Sequence, residues 1–162
     1  GTRRGRIQKA RNDTTAARAS FQQSIKAEPA ALAPYQELVQ MAARDKQWQE
    51  VADTTDRMLK IEPKGYPEFW FYNSVSKYNL GNIPAAEASA LEGVKIDGGH
   101  RVPKLEYILG VIQSQKGDQA SAAEHLHNYL KLAPETPEAA DAQKRLVDLD
   151  KGAAVAKNPS GS

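Results

Sequence analysis

Residues 103–134 read PKLEYILGVIQSQKGDQASAAEHLHNYLKLAP, and this stretch decides the architecture of the chain. Tyr107, Ile108, Val111 and Ile112 recur at helical spacing, with bulky Leu109 set beside Gly110. Gly117-Asp118 interrupts the pattern, glycine being the residue that enters a left-handed helix end at little cost. Ala122, Leu126, Tyr129 and Leu130 then share a second face, which Pro134 closes. The stretch predicts a helix, a tight turn and a second helix.

The same punctuation recurs upstream. Ala122, Leu126, Tyr129 and Pro134 lie at intervals of four, three and five, and so do Ala17, Phe21, Ser24 and Pro29. Val51, Thr55, Met58 and Pro63 repeat the intervals, with Trp48 ahead of them and Asp45-Lys46 in place of the glycine turn. Ala86, Ala90 and Gly93 keep them again after Gly81-Asn82, and Gly98-Gly99 replaces the closing proline. The closing positions Pro29, Pro63, Gly98 and Pro134 are therefore 34, 35 and 36 residues apart. Small residues at Ala17, Ala86 and Ala122 let a paired helix come close, where a larger side chain would force it away.

This pattern resembles the tetratricopeptide repeat, a helix–turn–helix unit of about 34 residues, in the form found in bacterial domains. The match covers residues 14–134, although Thr55 stands where a large apolar residue is usual. The resemblance implies an all-α fold, a right-handed α-solenoid of antiparallel helix pairs forming one domain over residues 1–150. Its parts are a partial repeat over residues 1–31, full repeats over 32–65, 66–100 and 101–135, and a capping helix over 136–150. That last helix is announced by Thr136, Pro137 and Glu138, and its apolar face is Ala139, Ala142, Leu146 and Leu149. Residues 151–162 show no periodicity and are expected to form a disordered tail.

Composition narrows the chemistry. The 162 residues carry a formal net charge of +2 and no cysteine, which removes disulfides, thiolate metal sites and cysteine catalysis. No apolar run approaches the ~20 residues that span a bilayer, and no signal-peptide core is present. The chain opens on Gly1-Thr2 without methionine, which suggests a fragment or processed product; its compartment, cytoplasm or bacterial periplasm, stays undetermined. Residues 1–11 hold Arg3, Arg4, Arg6, Lys9 and Arg11 and no acid, leaving 17 basic and 20 acidic side chains elsewhere. We read this arm as the first helix of an incomplete repeat whose second half runs from Thr14 to Pro29. Contact with nucleic acid or lipid ranks below that reading, because no aromatic residue is interleaved with the charge.

Neither common glycine-rich phosphate loop, nor a nucleophile elbow, nor a zinc-protease helix occurs. His125 and His127 form the nearest thing to a metal cluster. On a helix, residues two apart point about 200° away from each other, so both rings cannot reach one ion. They read as surface histidines of an outer helix. No enzymatic activity, cofactor, metal or small-molecule substrate is expected.

Binding remains. In proteins of the resembled family the first helix of each repeat lines a concave groove, along which partners lie as extended peptides or helices. With Trp70 and Leu109 taken as inward anchors, helical geometry assigns Phe71, Tyr72, Val75, Tyr78 and Asn79 to the groove in the third unit. Tyr107, Ile108 and Val111 follow in the fourth, and Gln36, Gln40 and Arg44 in the second. Phe71, Val75 and Tyr78 also have the spacing of a core stripe, and the opposite face, Trp70, Asn73, Ser74 and Lys77, is polar but for the tryptophan. Either the helix is rotated to bury the stripe or the stripe lines the groove; the groove is the reading taken here. A subclass of the family clamps chaperone C-termini with lysines, asparagines and an arginine. Of that set only Lys104 is present, so chaperone-tail capture is not expected. The expected partner is another protein, engaged through a peptide or helix. The alternative is a structural spacer or assembly segment within a larger repeat protein.

Overall fold

Eight helices follow one another in the computed structural model, which describes residues 3–28 and 31–157 and the side chains of 13–28 and 31–152. They are α1 (Arg3–Ala27), α2 (Ala33–Arg44), α3 (Trp48–Ile61), α4 (Pro67–Asn79), α5 (Ile83–Ile96), α6 (Lys104–Lys116), α7 (Gln119–Leu132) and α8 (Pro137–Lys157).

Three turns of one geometry join α2 to α3, α4 to α5 and α6 to α7. Each pivots on a residue with positive φ: Lys46 at 56°, Gly81 at 86° and Gly117 at 87°. In each, the pivot N–H and the next N–H return to the carbonyls of the helix just ended. The pairs are Lys46 to Ala43 and Gln47 to Ala42, Gly81 to Tyr78 and Asn82 to Lys77, and Gly117 to Ser114 and Asp118 to Gln113. Helix carbonyls that would end unpaired are thereby satisfied. Asn82 and Asp118 then cap the next helix, accepting from Ala85 N–H at 3.4 Å and Ser121 N–H at 3.3 Å. Proline opens α4, where a missing N–H costs nothing.

Each helix packs on its chain neighbours, and α2, α4, α6 and α8 also touch in succession. Among the described residues α1, α3, α5 and α7 make no comparable contacts with one another. One layer is therefore continuous and the other splayed, which curves a right-handed solenoid around the α2–α4–α6–α8 side. Close approach of α6 and α7 follows from small residues. A Cβ built on Gly110 would lie 2.5 Å from both Cγ and Cδ2 of Leu126. Ala122 and Leu126 are wholly buried there. Leu126, Tyr129, Ala139, Ala142 and Leu146 close the apolar core against α8.

The middle of the molecule is held differently. Asn73 is buried, and its Nδ2 donates to Thr55 Oγ1 and Asp56 Oδ1, both at 2.8 Å. Its Oδ1 accepts from Ser89 Oγ at 2.6 Å, and Ser74 Oγ donates to the Ala86 carbonyl at 2.8 Å. Thr55 Oγ1 itself donates to the Val51 carbonyl at 2.7 Å. The α3–α4–α5 contact is thus a satisfied polar network, which resolves why so polar a face can point inward.

Two expectations need correction. Residues 1–31 do not form a helix pair: α1 is one helix of 25 residues running straight through Asn12-Asp13-Thr14. No positive-φ pivot interrupts it, and these residues are merely weak helix formers, not breakers. Residues 151–157, expected in a disordered tail, continue α8. Residues 158–162, and Pro29 as a closing residue, lie outside the described residues.

Candidate functional site

On the inner layer, α4, α6 and α8 leave a cleft of about 300 Å³. Phe71, Val75, Tyr78 and Asn79 line it from α4, Lys104, Tyr107, Ile108 and Val111 from α6, and Glu138 and Arg145 from α8. Phe71, Val75 and Tyr78 are half-buried and lean on the core formed by Ala86, Ala90, Ile108, Leu109 and Ile112. Their opposite neighbours Asn73, Ser74 and Ser76 are buried. The stripe therefore faces the cleft.

Not every assigned groove residue does. Tyr72 packs instead against the core of α1–α4, beside Tyr35, Leu38 and Phe69. Ile108 and Val111 are only 7% and 6% exposed, so they make the floor of the cleft rather than open anchors. Asn79 is exposed and its Nδ2 donates back to the Val75 carbonyl at 2.8 Å. Gln36, Gln40 and Arg44 lie on α2, partly or fully exposed, and are not among the residues lining this cleft. Trp70 is half-buried, its Nε1 donating to the Pro63 carbonyl at 2.8 Å.

The rim is polar and comes largely from α8. Lys104 Nζ lies 3.6 Å from Glu138 Oε1. Asp141 Oδ2 accepts from the Tyr107 hydroxyl and, at 2.6 Å, from Arg145 Nε. Burial first, and then the Asp141 carboxylate, push the Tyr107 phenol up to about 12. Burial alone would raise the Asp141 carboxyl, but hydrogen bonds from Tyr107 and Arg145 and the guanidinium charge outweigh it and hold Asp141 below its ordinary value. The Arg145 guanidinium is raised, since bonding and charge from Asp141 overcome its own desolvation.

Glu138, Asp141 and Arg145 were not among the residues assigned from sequence. A signal was present: Lys104, Tyr107 and Val111 recur 34 positions later as Glu138, Asp141 and Arg145. The capping helix thus occupies the first-helix place of a further repeat and extends the cleft. His125 differs from expectation too. It is no surface histidine, since its Nδ1 lies 2.5 Å from Oε2 of buried Glu106, which binds α7 to α6. His127 is exposed, and among the described residues no cluster of metal-ligand type forms. No helix among those residues is long and apolar enough to cross a membrane.

No family model and no curated protein sequence matches the chain. Solved structures do. The crystal structure of MamA superposes with a TM-score of 0.71 at 12% identity, covering 95% of this chain and 98% of that one. The type III secretion chaperone SycD of Yersinia enterocolitica, in complex with a peptide of the translocator YopD, gives 0.66 at 15% identity over 75% of this chain and 93% of its own. The first TPR domain of Spaghetti (RPAP3), bound to an HSP90 peptide, gives 0.65 at 16% identity over 74% and 90%.

Proposed function

We propose, from the tetratricopeptide-repeat fold that this chain shares with those structures, that it is a non-catalytic interaction module holding a peptide or helical segment of a partner protein in the concave cleft of α4, α6 and α8. One observation carries the reading. Phe71, Val75 and Tyr78 stay half-exposed beside the buried floor of Ile108 and Val111, while the polar residues of the same helix take the core. A helix that buries Asn73, Ser74 and Ser76 beside Phe69 and leaves Phe71 and Tyr78 only half-buried runs against the usual preference. Apolar surface framed by charged groups is the anatomy of an interface. Two of the structural neighbours hold peptides of partner proteins, in keeping with this use of the fold.

Selection of a random peptide library on the domain tests the proposal. Binders are expected whose retention is lost on Val75→Glu, which places a charge in the cleft without truncating a fully buried side chain. If the binders are indifferent to Val75→Glu, or none emerges, the cleft is not the binding surface and the spacer reading takes its place.

A further inference from the structure

The chain does not turn back after residue 11, so its basic segment has no helix pair to complete. We infer that this segment, the half of α1 over residues 3–14, is a docking surface for duplex DNA, seated in the major groove through phosphate contacts and indifferent to base sequence.

The placement comes from the body of the molecule. α1 has 25 residues, and α2, the helix on which it packs, has 12. Phe21 and Ile25, in the C-terminal half of α1, join the core with Tyr35 and Leu38. At Arg18 the helix has already reached the far end of α2. Arg18 Nη1 lies 3.5 Å from Asp45, the residue that ends α2, and Nη2 pairs with Glu50 in the first turn of α3. Upstream of that anchor Asp13, Thr15 and Ala16 are exposed. Residues 3–14 therefore run past the end of α2 as a continuous helical rod about 18 Å long.

The rod carries Arg3, Arg4, Arg6, Lys9 and Arg11 against the single acid Asp13. The rest of the chain is mildly acidic, so an anion is drawn to this helix and not to the body. Three features select the anion. First, no apolar face is segregated for burial in a bilayer. Around the helix axis Ile7 falls between Arg3 and Arg11, and Ala10 between Arg6 and Arg3. Second, the five cations spread over about 220° of the helix circumference. A flat lipid surface reaches one side of such a rod, whereas a groove sets phosphates along both. An α-helix about 10–12 Å across fits the B-form major groove, about 12 Å wide, and not the narrow one of A-form RNA. Third, no aromatic residue is available to stack on unpaired bases, which counts against single strands. Duplex phosphates need only Lys and Arg, and such contacts carry no sequence information.

Fluorescence anisotropy of a labelled duplex DNA of ~20 base pairs, titrated with the whole chain between about 50 and 200 mM salt, tests this. Five phosphate contacts predict a slope of log K against log salt of about −4 to −5, a loss of a few hundred-fold in affinity, about 500-fold at most, over that range. Combining Arg4→Gln, Arg6→Gln and Arg11→Gln should reduce the slope to about −2 and leave the melting temperature unchanged. A duplex of unrelated sequence should bind equally well, and Val75→Glu in the cleft should leave DNA binding as it was. Duplex RNA and phosphatidylserine vesicles at the same salt should bind more weakly than DNA. The inference is overturned by any of four results: no DNA binding at low salt, a slope that survives the triple change, RNA or vesicles held as tightly as DNA, or a triple variant that loses its fold.

Discussion

Adding a single methyl group at Gly110 tests the helix packing directly. In an unconstrained helix Gly→Ala stabilises by about 1 kcal/mol. Here the new Cβ would fall 2.5 Å from two carbons of Leu126 and 3.4 Å from the Ala122 carbonyl oxygen. Leu126 is fully buried, so it cannot swing into solvent to make room. Either it leaves its rotamer or α7 moves away from α6, and overpacking of this kind costs roughly 1–3 kcal/mol. The steric term should win, with a net loss of up to about 2 kcal/mol and a melting temperature lower by up to about 8 °C. Urea denaturation followed by far-ultraviolet circular dichroism measures it. Leu126→Ala, itself costing about 2–5 kcal/mol, vacates the contested space. Gly110→Ala placed on that background should cost nothing and recover part of the helix-propensity gain. If Gly110→Ala alone raises the midpoint, or if the two changes add within about 0.5 kcal/mol, the close approach is not what glycine serves here.

Lys46 holds the left-handed pivot that glycine holds in the other two turns, so Lys46→Gly should stabilise the fold by about 0.5–1 kcal/mol in the same urea assay. Asn73→Ala should destabilise by about 2–3 kcal/mol, because it strands the Ser89 hydroxyl inside the α3–α4–α5 contact. Tyr78→Ala should weaken a selected peptide by about 1–3 kcal/mol in a binding isotherm. Thermal melts of the same variant should show less than the ~3–5 kcal/mol lost with a core ring. Tyr107 has a raised phenol pKa, so its stabilising contribution is complete below the ordinary value near 10 and disappears as pH climbs through about 12. Tyr107→Phe should therefore be less stable than the wild type at neutral pH, and the difference should close between those two values; a constant gap across alkaline denaturation curves contradicts the bond to Asp141.

The helix pairs were legible because their punctuation is local. A pivot residue, a capping Asn or Asp and a small residue at fixed intervals act within a few positions of one another, and Lys46 could substitute for glycine without disturbing the hydrogen bonds of its turn. The N-terminal half-repeat misled because Ala17, Phe21, Ser24 and Pro29 carry the spacing of a second helix while nothing ahead of them forces the chain to reverse. Groove and core on α4 could not be separated by periodicity, since both faces repeat at helical spacing. What decided between them is the satisfaction of Asn73 and Ser74 by Thr55, Asp56, Ser89 and the Ala86 carbonyl, groups 12 to 18 residues away along the chain. The same limit hid the role of α8. Asp141 and Arg145 gain a role only when Tyr107, a full repeat earlier, is brought alongside.

The outer helices α3, α5 and α7 stand side by side without touching among the described residues. Mechanically, such a stack has a stiff spine and an open back. Bending that spreads or gathers the outer helices breaks no apolar contact between them, whereas sliding along the inner layer would disturb packed side chains. Curvature is accordingly the soft coordinate of the molecule, and the mouth of the cleft widens or narrows with it. A small change of arc shared over several helix pairs, each altering its tilt only slightly, would suffice to open the cleft to a thicker segment if it holds one as proposed. The compliance lies in the back of the solenoid, while the side chains that line the cleft keep their packing at its front.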